Sequence, residues 1–247
     1  MARQATLDTK RPSSKRCPLE DFLDPGHLLR CLDILETTWK QESSPAMRFD
    51  KEPLDSLVRT VLSQNTNDTN RDRAYENLRR YFPDWKDILG AETDKIAEAI
   101  KTAGLSNTKA SRIKKILETV KMTFGVLSLE KMKEWDNSEA RRFLQDLPGV
   151  GPKTAACVLL FDLHMPAFPV DTHVARVSRR IIGWAPARAT PEAIQGCLET
   201  VIPPNRYLGA HLNLIFHGRN ICLARKPGCL RCPIADLCLT GKEKLKS

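Results

Sequence analysis

The sequence predicts an all-α chain, and three observations carry that expectation. Apolar residues recur at helical spacing, capping residues stand where those runs begin, and the β-branched residues fall on helical periods instead of alternating. Asp24-Pro25 opens the first helix, with Leu28, Leu29, Leu32, Ile34 and Leu35 in register. Ahead of it, residues 1–20 read as a flexible basic tail, because Met1 to Cys17 carries five Lys or Arg against one Asp and no periodicity. Gln41 to Asp50, with Ser43, Ser44 and Pro45, reads as a loop. From Pro53 onward helices are expected over 53–64, 69–82, 93–102, 107–124, 138–145 and 152–163. Thr93 is the expected cap of the third, ahead of Ile96, Ala97 and Ile100, and Asn107 or Thr108 opens the fourth, ahead of Ile113, Ile116 and Leu117. Beyond a Pro-rich break at 166–169, further helices are expected near 171–183, 191–201 and 205–220, with Thr190 as a cap and Pro191 at a first helical position.

The 247 residues suffice for one large or two modest domains with an ample core. A formal charge of +9, from 39 Lys and Arg against 30 Asp and Glu, suggests a polyanionic partner, although a soluble basic protein can carry as much. No apolar run reaches the ~18 residues of a membrane span, and the N-terminus has no signal-peptide core. An intracellular protein is the expectation.

The stretch Leu147-Pro-Gly-Val-Gly-Pro-Lys-Thr-Ala155, with Val170-Asp-Thr-His173 close behind, organises the rest. Asp146 to Gly151 reads as a tight hairpin between two helices, and Pro152 suits the first position of the second. Gly149 and Gly151 permit positive φ, and the free N–H groups of such a turn and helix start can hold a phosphate. A ligand-free helix–turn–helix would look similar; Lys153 argues against it. At a helix N-terminus, with partial burial, its pKa is lowered and a neutral amine able to attack carbon results. Asp171 stands where an N-cap would, as a fixed carboxylate able to act as a weak base or countercharge. Amine, carboxylate and phosphate-binding hairpin together suit chemistry at a sugar C1′ in DNA.

The eight cysteines divide unevenly. Cys17, Cys31, Cys157 and Cys197 are scattered and read as isolated thiols. Cys222, Cys229, Cys232 and Cys238 crowd into one loop with Pro227, Gly228 and Pro233, which points to a metal. Chemistry alone leaves structural zinc and a [4Fe–4S] cluster both open, since each accepts four cysteines.

From about Leu54 to Cys238, the LPGVGPKTA and PVDTH motifs and the Cys-x6-Cys-x2-Cys-x5-Cys run resemble the endonuclease III branch of the helix–hairpin–helix DNA glycosylases. The resemblance implies that Lys153 is a Schiff-base nucleophile, that Asp171 assists it, and that Cys222, Cys229, Cys232 and Cys238 hold a [4Fe–4S] cluster. Gln64, in Val61-Leu-Ser-Gln-Asn-Thr-Asn-Asp68, matches a glutamine that enters the space left by an extruded base. In the same way Leu105, in Gly104-Leu-Ser-Asn-Thr-Lys-Ala110, matches an apolar wedge, and His173 lines the DNA-facing surface. Arg225 and Lys226 project from the cluster loop toward a phosphate, or are simply solvated. Adenine glycosylases of this fold carry a glutamate four residues before the position of Gln64, where this chain has Thr60. Pro152 and the longer turn at 64–68 depart from close relatives and leave the damaged base open.

The implied architecture is a two-domain helix–hairpin–helix glycosylase fold. Residues 50–165 form a six-helix barrel, and residues 21–49 with 166–247 form a discontinuous cluster domain. The implied activity is that of a monomeric glycosylase and AP lyase on duplex DNA with damaged bases or abasic sites. Oxidised pyrimidines such as thymine glycol are the expected substrates. A thymine or uracil mismatch glycosylase, or a non-catalytic DNA-binding iron–sulfur module, is the alternative.

Overall fold

Helix follows helix through the computed structural model, which describes residues 25–41, 52–183 and 190–246. The expected basic tail over 1–20, Asp24 and residues 42–50 of the expected loop lie outside them. Among the described residues there is no strand, and no helix is long and apolar enough to cross a membrane.

Buried apolar residues fall into two clusters. The first runs from Leu54 to Ala167, and the second joins Leu28, Cys31, Leu32 and Leu35 to residues from Phe168 to Cys238. Helix α1 (Pro25–Trp39) therefore packs with the chain's C-terminal third, mainly on α11 (Tyr207–Asn220) and to a lesser extent on α9 (Thr172–Ile182) and α10 (Pro191–Val201). Arg206 fastens it from outside, pairing with Asp33 at 2.7 Å and Glu36 at 2.9 Å.

The first cluster is enclosed by α2 (Pro53–Ser63), α3 (Asp68–Tyr81), α4 (Trp85–Gly90), α5 (Thr93–Ala99), α6 (Ser106–Phe124), α7 (Asn137–Asp146) and α8 (Pro152–Cys157). Helix α2 shows why the pattern folds this way. Leu54, Leu57, Val58, Val61 and Leu62 share one face and are fully buried, each contributing about 1.5–3 kcal/mol. Glu52 caps that helix through the Leu54 N–H at 2.8 Å, while its other oxygen accepts from Ser128 Oγ at 2.9 Å.

Two expectations shift locally. Thr93 is the first helical residue, and the capping position falls on Glu92, whose side chain makes no cap bond. The helix expected over 93–102 breaks into α5 and a 3₁₀ turn, Lys101–Ala103, which hands the chain to Gly104 at φ 68°. Two short helices were not expected. Helix α4 is set by a reciprocal capping box between Asp84 and Asp87. Helix α12 (Leu239–Lys246) packs so tightly that a Cβ on Gly241 would stand 2.4 Å from the Ala235 carbonyl oxygen.

Helix α8 does not end cleanly. It runs into one π-helical turn, Val158–Asp162, in which the Leu163 N–H donates to the Val158 carbonyl at 3.0 Å. The chain then crosses to the second cluster through 163–170. Asn137 Nδ2 holds the Pro166 carbonyl at 2.8 Å. Glu199, on α10 (Pro191–Val201), accepts from the Phe168 N–H at 2.9 Å and from Arg141 Nη2 at 2.8 Å.

Candidate active site

The hairpin after α7 is a tight turn closed by the Val150 N–H on the Leu147 carbonyl at 3.0 Å. Pro148 and Gly149, the latter at φ 80°, occupy its two central positions, the chemistry a type II turn demands. Leu147 and Val150 are buried and root it in the first core. Only one of the two glycines uses the left-handed region. Gly151 is the N-cap of α8 at φ −87°, and a Cβ built on it would meet nothing within 4 Å. Lys153 is the second residue of α8 and is exposed, so the partial burial expected of it is absent; the first turn of α8 stands at the mouth of a pocket instead of beneath it.

That pocket has a volume of about 450 Å³ and is walled by Lys153, Val170, Asp171, Thr172, Arg179 and Pro191. Asp171 caps α9 as its position suggests, one carboxylate oxygen accepting the Val174 N–H at 2.7 Å. Behind the pair lies a residue the sequence reading passed over. His211 is buried on α11, its Nδ1–H donating to the Pro169 carbonyl at 2.9 Å. Burial pushes its pKa down to about 4, against the pull of the Asp171 carboxylate. His211 is therefore neutral at pH 7, with the proton on Nδ1 and a lone pair on Nε2. One turn beyond Lys153, burial also raises the Cys157 thiol, and the Lys153 ammonium opposes that rise.

Gln64 is the C-cap of α2, followed by Asn65 at φ 55° and by Asn67, which caps α3 through the Asn70 N–H at 2.8 Å. Gln64 reaches the hairpin: its Nε2 donates to the Gly149 carbonyl at 2.8 Å and its Oε1 accepts from Arg112 Nη1 at 3.1 Å. Arg112 was not singled out from the sequence; only the fold brings α6 over the hairpin. Leu105 is 61% exposed at φ 48°, a left-handed conformation that is costly for leucine. His173 does not stand free. Arg176 Nη2 reaches its Nδ1 at 3.1 Å and the Gly218 carbonyl at 2.7 Å, holding the ring against α11.

Cys222, Cys229, Cys232 and Cys238 line one cavity, together with Arg180, His217 and apolar Val177, Ile181, Ile221 and Ile234. Arg180 Nη1 donates to the Cys222 sulfur at 3.2 Å and to the Leu223 carbonyl at 2.7 Å. His217 Nε2 lies 3.6 Å from the Cys232 sulfur, while its buried Nδ1 has no partner. Neutral thiols are weak acceptors, whereas metal-bound thiolates take strong N–H donors, so this donor set fits a metal group. Among the described residues no group of three or more His, Cys, Asp or Glu side chains is arranged to hold a metal ion. Arg225 and Lys226 are exposed in the loop between Cys222 and Cys229. Of the scattered cysteines, Cys31 and Cys157 are free thiols, and Cys197 is disulfide-bonded, which corrects the reading of it as isolated.

Residues 58–204 match the model of the HhH-GPD superfamily base excision DNA repair proteins, which is more than half of the chain. The chain belongs to that superfamily. Among HhH-GPD relatives, endonuclease III of Sulfolobus acidocaldarius is 34% identical over 196 residues, covering 78% of this chain and 84% of that protein. A protein of Arabidopsis thaliana provisionally named as a DNA glycosylase is 40% identical over 169 residues, covering 68% of this chain. The chain spans 57% of that plant relative's length. A solved HhH-GPD structure, a trapped endonuclease III–DNA covalent intermediate, matches with a TM-score of 0.74 and 27% identity over 91% of this chain and all of that one. The all-α fold is thus the endonuclease III fold.

Proposed function

We propose that this chain is a DNA glycosylase and AP lyase of base excision repair, acting as a monomer on duplex DNA with damaged bases or abasic sites inside the cell. The observation that carries the reading is the shared pocket wall of Lys153 and Asp171, an amine and a fixed carboxylate facing one cavity in an endonuclease III fold. The extruded nucleotide enters that pocket, while Gln64 and Leu105 occupy the gap it leaves in the stack. The hairpin N–H groups around Gly149 and Gly151, with Arg225, Lys226 and the surface beside His173, hold the backbone phosphates.

The Lys153 amine, once it has given up a proton, attacks C1′ as the bond from C1′ to the base breaks, and the base leaves with the electron pair. Asp171 offsets the positive charge developing at the sugar. Loss of a proton from the amine and opening of the ring give an imine. Its C2′ proton is then removed, the 3′ phosphate leaves, and the strand is nicked; water releases the lysine. Oxidised pyrimidines of the thymine glycol type are the proposed substrates. The two apolar clusters support the reading of two domains, a barrel of residues 50–165 and a discontinuous unit of 21–49 with 166–247. In the second, Cys222, Cys229, Cys232 and Cys238 hold a [4Fe–4S] cluster. When bound, it supplies the loop with the rigidity of four metal–sulfur bonds.

Borohydride reduction in the presence of a thymine glycol duplex tests the reaction. Wild-type protein gives a covalent adduct, and Lys153→Gln gives none while binding duplex nearly as well. An adduct formed by Lys153→Gln assigns the nucleophile to another amine. Base release from a T:G or U:G duplex without any adduct makes the chain a monofunctional mismatch glycosylase. Binding without release or nicking on any of these duplexes reduces it to a DNA-binding module.

A further inference from the structure

Lys109 is 1% exposed, among the largest fully buried side chains, and although it stands in the Gly104–Ala110 stretch it has no role in the proposed reaction. Its position is unfavourable twice over. It lies in the second turn of α6, near the positive end of the helix dipole, and burial lowers its pKa, with Arg112 adding to the effect. A buried cation persists only where its donors are satisfied. Lys109 Nζ donates to the Leu62 carbonyl at 2.8 Å and to the Ala103 carbonyl at 2.8 Å.

Those two carbonyls belong to different segments. Leu62 stands in the last turn of α2, two residues before Gln64, and Ala103 ends the 3₁₀ turn, two residues before Leu105. One ammonium thus grips the backbone at the same remove from both tips, the half-buried Gln64 and the exposed Leu105. Each tip adjoins a strained residue, Asn65 at φ 55° and Leu105 itself at φ 48°. Left-handed non-glycine residues cost about 1–2 kcal/mol each and hold only where the surroundings fix them.

We infer that Lys109 is a positioning residue that fixes the separation of the Gln64 and Leu105 tips, so that both enter the gap left by one extruded nucleotide. The inference rests on the gap-filling reading of those two residues. Without the ammonium the carbonyls at 62 and 103 have no common partner, and the two tips move independently.

The test uses a duplex with a tetrahydrofuran abasic analogue and 2-aminopurine opposite it, which the protein binds without cleaving. Insertion of the tips unstacks the 2-aminopurine, so its fluorescence rises on binding. Lys109→Met keeps the stem and removes the donors; the fluorescence rise falls by half or more, while duplex affinity stays within about twofold of wild type. In a Leu105→Ala background the same change has little further effect, because the tip it positions is gone. Hydrogen exchange speeds up at segments 62–66 and 103–106 together. Should Lys109→Met melt below the assay temperature, Lys109→Gln, which keeps one donor amide, shows the same pattern at smaller amplitude. A full fluorescence rise with Lys109→Met or Lys109→Gln, where Leu105→Ala abolishes it, overturns the role of Lys109 and leaves the gap-filling reading standing. A full rise with both Leu105→Ala and Gln64→Ala overturns that reading and this inference with it.

Discussion

Gln64 Nε2 donates to the Gly149 carbonyl at 2.8 Å, joining the turn after α2 to a hairpin 85 residues away. Arg112 completes the arrangement from above, bonded to Gln64 Oε1 and lying across Gly149, where a Cβ would stand 2.6 Å from Arg112 Cδ. Gly149→Ala meets two costs, that contact and a φ of 80° worth about 1–2 kcal/mol for a residue with a Cβ. Urea denaturation will show the loss. Adding Arg112→Ala recovers the part due to the contact and leaves the backbone part. Full recovery in the double variant would mean that the φ cost is absent.

Asp171 has two separable duties. Its cap bond to the Val174 N–H at 2.7 Å needs an oxygen acceptor but no charge. Asp171→Asn therefore keeps the unfolding free energy of wild type, whereas Asp171→Ala loses about 1 kcal/mol. Both variants lose most of the base-release rate if the charge is what matters at the sugar. Activity retained by Asp171→Asn would assign Asp171 to the cap alone.

Protein prepared without oxygen is expected to be yellow-brown, with broad absorbance near ~400 nm and roughly four iron per chain. Cys232→Ala is expected to lose the iron and much of its solubility, because under the proposed ligation metal–sulfur bonds would hold the loop. Stoichiometric zinc with neither iron nor sulfide would reassign the four cysteines to a zinc site.

Stability should depend on pH through His211. Burial depresses its folded pKa from 6.5 to about 4, so between those values the unfolded chain binds a proton that the folded chain does not. The contribution is complete above pH 6.5 and is lost as pH falls toward 4. The melting temperature should fall steadily from pH 7 to pH 5, and His211→Gln should flatten the slope. An unchanged slope in that variant would mean that His211 binds protons alike in the folded and unfolded chain.

What the sequence discloses is what depends on neighbours along the chain. The cap at Asp171, the proline at 152, the buried face of α2 and the helical periods that fix an all-α fold are local, and they read correctly. Helix α4 escaped because six residues hold too little periodicity, although Asp84 and Asp87 carry its capping signature. The partners of Gln64 lie on α6 and in the hairpin, and the partner of His211 is the carbonyl of Pro169. No spacing rule reaches across such separations. The exposure of Lys153 was misjudged for a related reason: the dipole of α8 is local, but the depth of the pocket in front of it is tertiary.

The single π-helical turn between Lys153 and Asp171 acts as a phase shifter. One extra residue in a helix advances the following chain by about 100° and 1.5 Å relative to uninterrupted α-helix. Everything that leaves Val158–Asp162, including the crossing segment and Asp171, takes its bearing from that step. Deleting one residue there would leave two well-formed helical pieces and both apolar faces chemically unaltered. It would nonetheless shift where the crossing segment leaves α8, so the path from Lys153 to Asp171 is written in a residue count as much as in the residues themselves.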